Sequence, residues 1–152
     1  MSLGNHRTIL LVEDSPEDYE ATVRALRRAG LHNPLFRCED GKQALDFLYQ
    51  RDEFADPAVA PRPAIILLDL NMPGTDGHEV LRQVKADERL KTIPVIVLTT
   101  SDDERDIQAC YRAGANSFVT KPVTFEGLVQ SIQRLKDFWI EIAVYPKGRD
   151  EQ

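Results

Sequence analysis

Five short apolar runs punctuate the chain: Thr8 to Val12, Leu35 to Cys38, Ala64 to Leu68, Pro94 to Leu98 and Ser117 to Thr120. Between them, apolar residues recur at three- and four-residue spacing, the period of a helix buried on one side. Ser15 supplies an N-cap for the first helix, Pro16 fits its first turn, Asp18 completes a capping-box spacing and Gly30 stops it. Tyr19, Val23 and Leu26 form its expected buried stripe. A second helix is predicted over 41–51 on Ala44, Leu45, Phe47 and Leu48, and a third over 78–87 on Val80, Leu81 and Val84. The fourth is expected from Ser101, with capping-box spacing to Glu104, to Gly114. The fifth starts at Thr124 and runs past Lys136.

Strict alternation of five strands with five helices predicts an α/β fold, a parallel sheet covered by helices on both faces. The run Ile65-Ile66-Leu67-Leu68 suits a strand buried on both faces, as at the middle of such a sheet. The matching architecture is the flavodoxin-like (βα)5 three-layer sandwich with strand order 2-1-3-4-5, whose ligand crevice lies at the carboxyl ends of strands one and three. One connection is long: 52–63, with Pro57, Pro61 and Pro63. It reads equally as a functional loop or as a surface insertion.

The chain has 152 residues, 42% of them apolar, enough for one sizeable core. A net charge of −6 argues against nucleic acid or an anionic membrane as partner. The cluster Arg24, Arg27, Arg28 reads as the solvated face of a helix. Cys38 and Cys110 lack paired spacing and read as small core residues in a reducing compartment. With no signal peptide and no apolar run near 18 residues, a soluble cytoplasmic protein is expected, and Met1 to His6 is expected to be unordered. His6, His32 and His78 show no ligand spacing and read as surface residues.

The chemistry gathers at the strand ends. Glu13 and Asp14 close the first strand, Asp69 the third, Thr99 the fourth and Lys121 the fifth, followed by Pro122. Either Asp14 or Asp69 alone reads as a turn cap. Together, three carboxylates in one crevice repel by about 4 kcal/mol per pair at about 4 Å and an effective dielectric near 20. That is tolerable only when they are protonated or bound to a cation, and an all-oxygen set favours Mg²⁺ or a similar hard ion. The Lys121 ammonium and Thr99 hydroxyl would meet charge growing on an oxyanion beside Asp69, as phosphoryl transfer requires.

Glu13-Asp14, Asp69-x-x-Met72-Pro73-x-x-x-Gly77, Thr99 and Lys121-Pro122 resemble, in order and spacing, the receiver domain of two-component response regulators over about residues 7–138. That resemblance implies that Asp69 takes a phosphoryl group from a sensor histidine kinase. It implies a Mg²⁺ (or Mn²⁺) site of Asp14, Asp69 and the Asn71 carbonyl, with Glu13 acting through water. Lys121 would pair with phosphoryl oxygens, Thr99 would turn inward to them, and Phe118 would swing from exposed to buried. The Lys121–Pro122 bond is expected to be cis. Glu13 stands where Asp is commoner, and Phe118 where Tyr is often found. Thr100 stands where a smaller residue is frequent, which implies slow attack of water and a long-lived phosphorylated state.

Trp139 and Ile142 continue the apolar spacing of the fifth helix beyond where a receiver ends. They are expected either to fold back on the domain or, preferentially, to mediate a homodimer. Phe138-Trp139-Ile140-Glu141, the 52–63 loop and Leu98-Thr99-Thr100-Ser101 are similar to stand-alone regulators that partner phytochrome-type kinases. The expected organisation is one receiver domain over 1–152, with 139–152 as a C-terminal extension and no output domain, so that signalling runs through an unnamed protein target.

Three other readings compete. An aspartyl-phosphate phosphatase of the haloacid-dehalogenase kind would carry an acid two residues after Asp69, where Asn71 stands. A nucleotide-binding flavodoxin-like domain would need glycines where Glu13-Asp14-Ser15-Pro16 stands. A receiver-like interaction module that is never phosphorylated is disfavoured because every residue the acceptor chemistry requires is present.

Overall fold

The computed structural model describes residues 8–72 and 76–150, with side chains described as far as Asp137. Pro73 of the Met72-Pro73 motif, the segment Met1 to His6, and the side chains of Trp139 and Ile142 lie outside the described residues.

Five strands form one parallel sheet: β1 (Ile9–Val12), β2 (Leu35–Cys38), β3 (Ile65–Leu68), β4 (Val95–Thr99) and β5 (Ser117–Thr120). Their order is β2-β1-β3-β4-β5, as expected. Five helices connect or follow them: α1 (Pro16–Arg28), α2 (Gly41–Tyr49), α3 (Gly77–Ala86), α4 (Glu104–Arg112) and α5 (Phe125–Asp150). Among the described residues no helix is long and apolar enough to cross a membrane.

Period-two alternation divides the interior. Leu10, Val12, Ile66, Leu68, Val95 and Val97 pack on one face with Ala44, Leu45, Val80, Leu81 and Cys110 of α2, α3 and α4. Ile9, Leu11, Ile65, Leu67, Ile96 and Leu98 pack on the other with Leu26, Leu128 and Ile132 of α1 and α5. A strand apolar at every position is therefore required, each side chain contributing about 1.5–3 kcal/mol by leaving water. Both cysteines are free and buried.

Several local expectations are corrected. The buried stripe of α1 is Thr22, Ala25 and Leu26, while Tyr19 and Val23 are half-buried. The stripe is rotated because α1 meets α5 and not the sheet alone. The cap of α4 is Asp103, whose carboxylate accepts from the Arg105 N–H; the Ser101 hydroxyl instead donates to Asp106 at 2.7 Å. The α1 arginines are not merely solvated. Arg27 donates to the carbonyls of Leu31 and Asn33, Arg28 pairs with Glu126 at 3.3 Å, and Arg24 lies over the Phe125 ring.

The 52–63 connection packs against the domain through Phe54, Ala60 and Arg62. It opens with a short 3₁₀ turn, Asp52–Phe54, and the Phe54 ring packs tilted against Phe47 with centroids 5.4 Å apart. Gln50 donates to the buried Ala60 carbonyl, and Arg62 to the Arg89 carbonyl and the Thr92 hydroxyl. The loop enters β3 at its amino end, so it lies at the opposite edge of the sheet from Asp69.

Candidate functional site

Backbone ladders carry the candidate residues to one crevice. The Glu13 N–H donates to the Cys38 carbonyl at 3.0 Å, the Asp69 N–H to Val12 at 3.1 Å and the Lys121 N–H to Thr99 at 2.7 Å. Each bond continues a strand pair just past its carboxyl end, so side chains distant in sequence are placed by the sheet itself. Arg37 fixes the other flank by donating to the Glu13 and Asp14 carbonyls at 3.2 and 3.3 Å.

Glu13, Asp14 and Asp69 each offer an oxygen within 4.8 Å of the other two. Glu13 and Asp69 are buried, at 2% and 7% exposure, while Asp14 is half-buried. The Lys121 ammonium lies 2.6 Å from Glu13, 3.3 Å from Asp18 and 3.7 Å from Asp69. Burial pushes the Glu13 carboxyl up to about 7, against the hydrogen bond and charge of Lys121, with the Asp69 charge adding to the rise. Burial works to lower Lys121, but its acidic partners Glu13, Asp69 and Asp18 outweigh it and hold the ammonium above its ordinary value. An all-oxygen donor set, crowded and only partly neutralised by one ammonium, fits a hard divalent cation.

Thr99 is fully buried, and its hydroxyl accepts from the Asn71 side-chain amide at 3.3 Å. The Asn71 N–H donates to the Asp69 carboxylate at 3.3 Å. Asn71 thereby ties the turn after β3 both to β4 and to the Asp69 carboxylate. Gly77 is needed close by. A Cβ there would collide with the Asp69 carbonyl and stand 2.7 Å from the Leu70 Cα. Phe118 is half-buried against the α2–α4 side of the core, and its N–H donates to the Tyr111 hydroxyl at 3.2 Å.

The Lys121–Pro122 bond is not cis: no described peptide bond is. The trans form is intrinsically favoured by about 0.5–1 kcal/mol before proline, and the Lys121 side chain reaches Glu13 from that geometry.

Three contacts at or near the site escaped the sequence reading, those of Asp18, His78 and Arg37. Spacing predicts a capping box through Asp18, yet only half of that box forms. The Ser15 hydroxyl accepts from the Asp18 N–H at 3.2 Å, but Glu13, not Asp18, receives the Ser15 N–H. Asp18 instead turns to Lys121. His78, read as a lone surface residue, lies 3.3 Å from Asp106 and joins α3 to α4. Arg37, a charge inside an otherwise apolar strand, was the one visible signal of the backbone clasp.

The response regulator receiver domain model matches residues 9–133. Response regulator Rcp1 of Synechocystis sp. is 40% identical over 140 residues, covering 92% of this chain and 93% of that protein. The Mn²⁺-bound form of Rcp1 superposes with a TM-score of 0.79 at 41% identity over 89% of this chain and 95% of that one. The phosphorylated cyanobacterial phytochrome response regulator RcpA gives 0.81 at 39% identity, over 89% of this chain and 94% of the other. The bacteriophytochrome response regulator AtBRR gives 0.73 at 43% identity, over 88% and 95%. The family match over residues 9–133, with 40% identity along nearly the full length of Rcp1 and a parallel sheet in the order 2-1-3-4-5, places this chain in the receiver-domain family, as a response regulator and not a classical enzyme.

Proposed function

We propose that Asp69 is the phosphoacceptor and that the chain catalyses its own phosphorylation. The observation that carries this is the placement of Asp69, buried, with Lys121 3.7 Å away and the Glu13 and Asp14 oxygens converging beside it. An Asp69 oxygen forms a bond to phosphorus as the phosphorus–nitrogen bond of a phosphohistidine breaks, and the imidazole leaves with a proton. Lys121 pairs with the phosphoryl oxygens, and Thr99 exchanges its Asn71 contact for one of them. Asp14, Asp69 and the Asn71 carbonyl would hold Mg²⁺ (or Mn²⁺) directly, with Glu13 reaching it through water. That ion would neutralise charge on the phosphoryl oxygens. Thr99 and Phe118 then report the change to the surface made by α4, β5 and α5.

The phytochrome-linked relatives favour a phytochrome-type sensor histidine kinase as donor, in the cytoplasm, with no nucleic-acid or membrane role. The chain is read as a single receiver domain that acts through a protein target, as a homodimer held in part by Trp139 and Ile142. Thr100 beside the site makes the phosphorylated state long-lived. Phosphotransfer profiling against candidate kinases tests the main reading, with Asp69→Asn as control. Label on the unsubstituted chain alone is expected; no label from any kinase or small phosphodonor in Mg²⁺ would sink it.

A further inference from the structure

Lys121 faces a choice of partners that the acceptor chemistry does not require. Its ammonium has three N–H donors, and two approach carboxylates other than Asp69, those of Glu13 and Asp18 at 2.6 and 3.3 Å. Asp69 is the most distant of the three, at 3.7 Å. Asp18 is half-exposed while Lys121 is 10% exposed, so this contact draws the ammonium toward the mouth of the crevice and the first turn of α1. Nothing else in the turn claims the Asp18 carboxylate, because Glu13 takes the capping role toward the Ser15 N–H. Glu17, one residue earlier, carries the same charge on the same turn but receives the Ser15 hydroxyl at 3.3 Å.

We propose that Asp18 is a positioning residue that competes with Asp69, and with the phosphoryl group that Asp69 would carry, for Lys121. This rests on the reading of Asp69 as the phosphoacceptor. In the unphosphorylated chain Asp18 holds Lys121 on the α1 side. Forming the acyl phosphate requires Lys121 to leave Asp18, so this one contact lowers both the rate of phosphorylation and the stability of the product. Its effect belongs to a specific ion pair and not to the acidic field of α1 at large.

The experiment compares the unsubstituted chain with Asp18→Asn, Asp18→Glu and Glu17→Gln. It reads the initial rate of labelling by acetyl phosphate in Mg²⁺ and the affinity for beryllofluoride, a mimic of the acyl phosphate. Asp18→Asn is expected to raise both by about two- to fivefold, the range a partly exposed ion pair supports. Asp18→Glu, whose longer arm still reaches Lys121, is expected to restore the original values, and Glu17→Gln to leave them unchanged. An equal gain from Glu17→Gln would reassign the effect to the general field and overturn the proposal, as would an unchanged or slower Asp18→Asn. If the unsubstituted chain takes no label and binds no beryllofluoride, the acceptor reading itself fails and takes this proposal with it.

Discussion

Asp46 in α2 and Glu13 at the end of β1 are both buried acids, at 4% and 2% exposure, and their surroundings differ in kind. Asp46 receives Lys42 at 2.9 Å and Arg51 at 2.6 Å, and the hydrogen bonds from those two hold its carboxyl below the ordinary value. Glu13 shares one ammonium with Asp18 and Asp69, and burial pushes it up to about 7. Two cations on one acid make a fold contact. Several acids on one cation make a site poised to accept more positive charge. Burial alone does not separate structure from function; the ratio of partners does.

The sharpest way to test the crowded region is through its backbone. Gly77→Ala leaves every charge in place but drives a methyl into the Asp69 carbonyl and the Leu70 Cα, which cannot move aside as a side chain would. A loss of about 3 kcal/mol in denaturant unfolding is expected, at the upper end for overpacking, with slower labelling of Asp69. Next in size is the response to cation. Mg²⁺ at about a hundredfold over its Kd should stabilise the chain by about 2.7 kcal/mol. Asp46→Asn should keep that gain and Asp69→Asn should lose most of it. A full gain in Asp69→Asn would break the contrast between the two regions.

Asp46→Asn itself should cost about 1–2 kcal/mol. The low end applies because Lys42 and Arg51 are largely exposed, so water stays close to the pair. A group whose folded value is depressed stabilises above its unfolded value and loses that effect as pH falls through the folded one. The gap between the two chains should therefore close as pH is lowered below the ordinary aspartate value of 3.8. Unfolding midpoints across that range check it; a gap that persists unchanged into strong acid would deny the ion pairs their role.

Much of this was legible in the sequence because the sheet enforces it. Apolar runs such as Ile65 to Leu68 fixed the strands, and residues at strand ends had to converge once the order was known. Glu13, Asp14, Asp69, Thr99 and Lys121 were readable for that reason. What was not readable depends on side-chain choice between acceptable partners. Asp18 could cap Ser15 or pair with Lys121, and spacing alone favoured the cap; Ser101 and Asp103 could each start α4. The isomer of the Lys121–Pro122 bond differs by too little energy for residue type to decide it.

The smallest effect is also the one most specific to crowding. Asp14 is half-buried, and Arg37 engages its carbonyl and leaves the carboxylate to face Glu13 and Asp69. Removing one charge from such a group should relieve repulsion, so Asp14→Asn should be more stable than the unsubstituted chain in EDTA. About 1 kcal/mol is expected, near the value for a like-charge pair still in contact with water. Adding Mg²⁺ should invert the order, because the substituted chain then lacks a direct ligand while the original gains one. A stability gain that survives in Mg²⁺ would mean the carboxylate is merely misplaced, and a loss in both conditions would make Asp14 a turn cap after all. Only inversion, read from unfolding midpoints with and without the ion, fits an acid kept at a stability cost for the cation it meets.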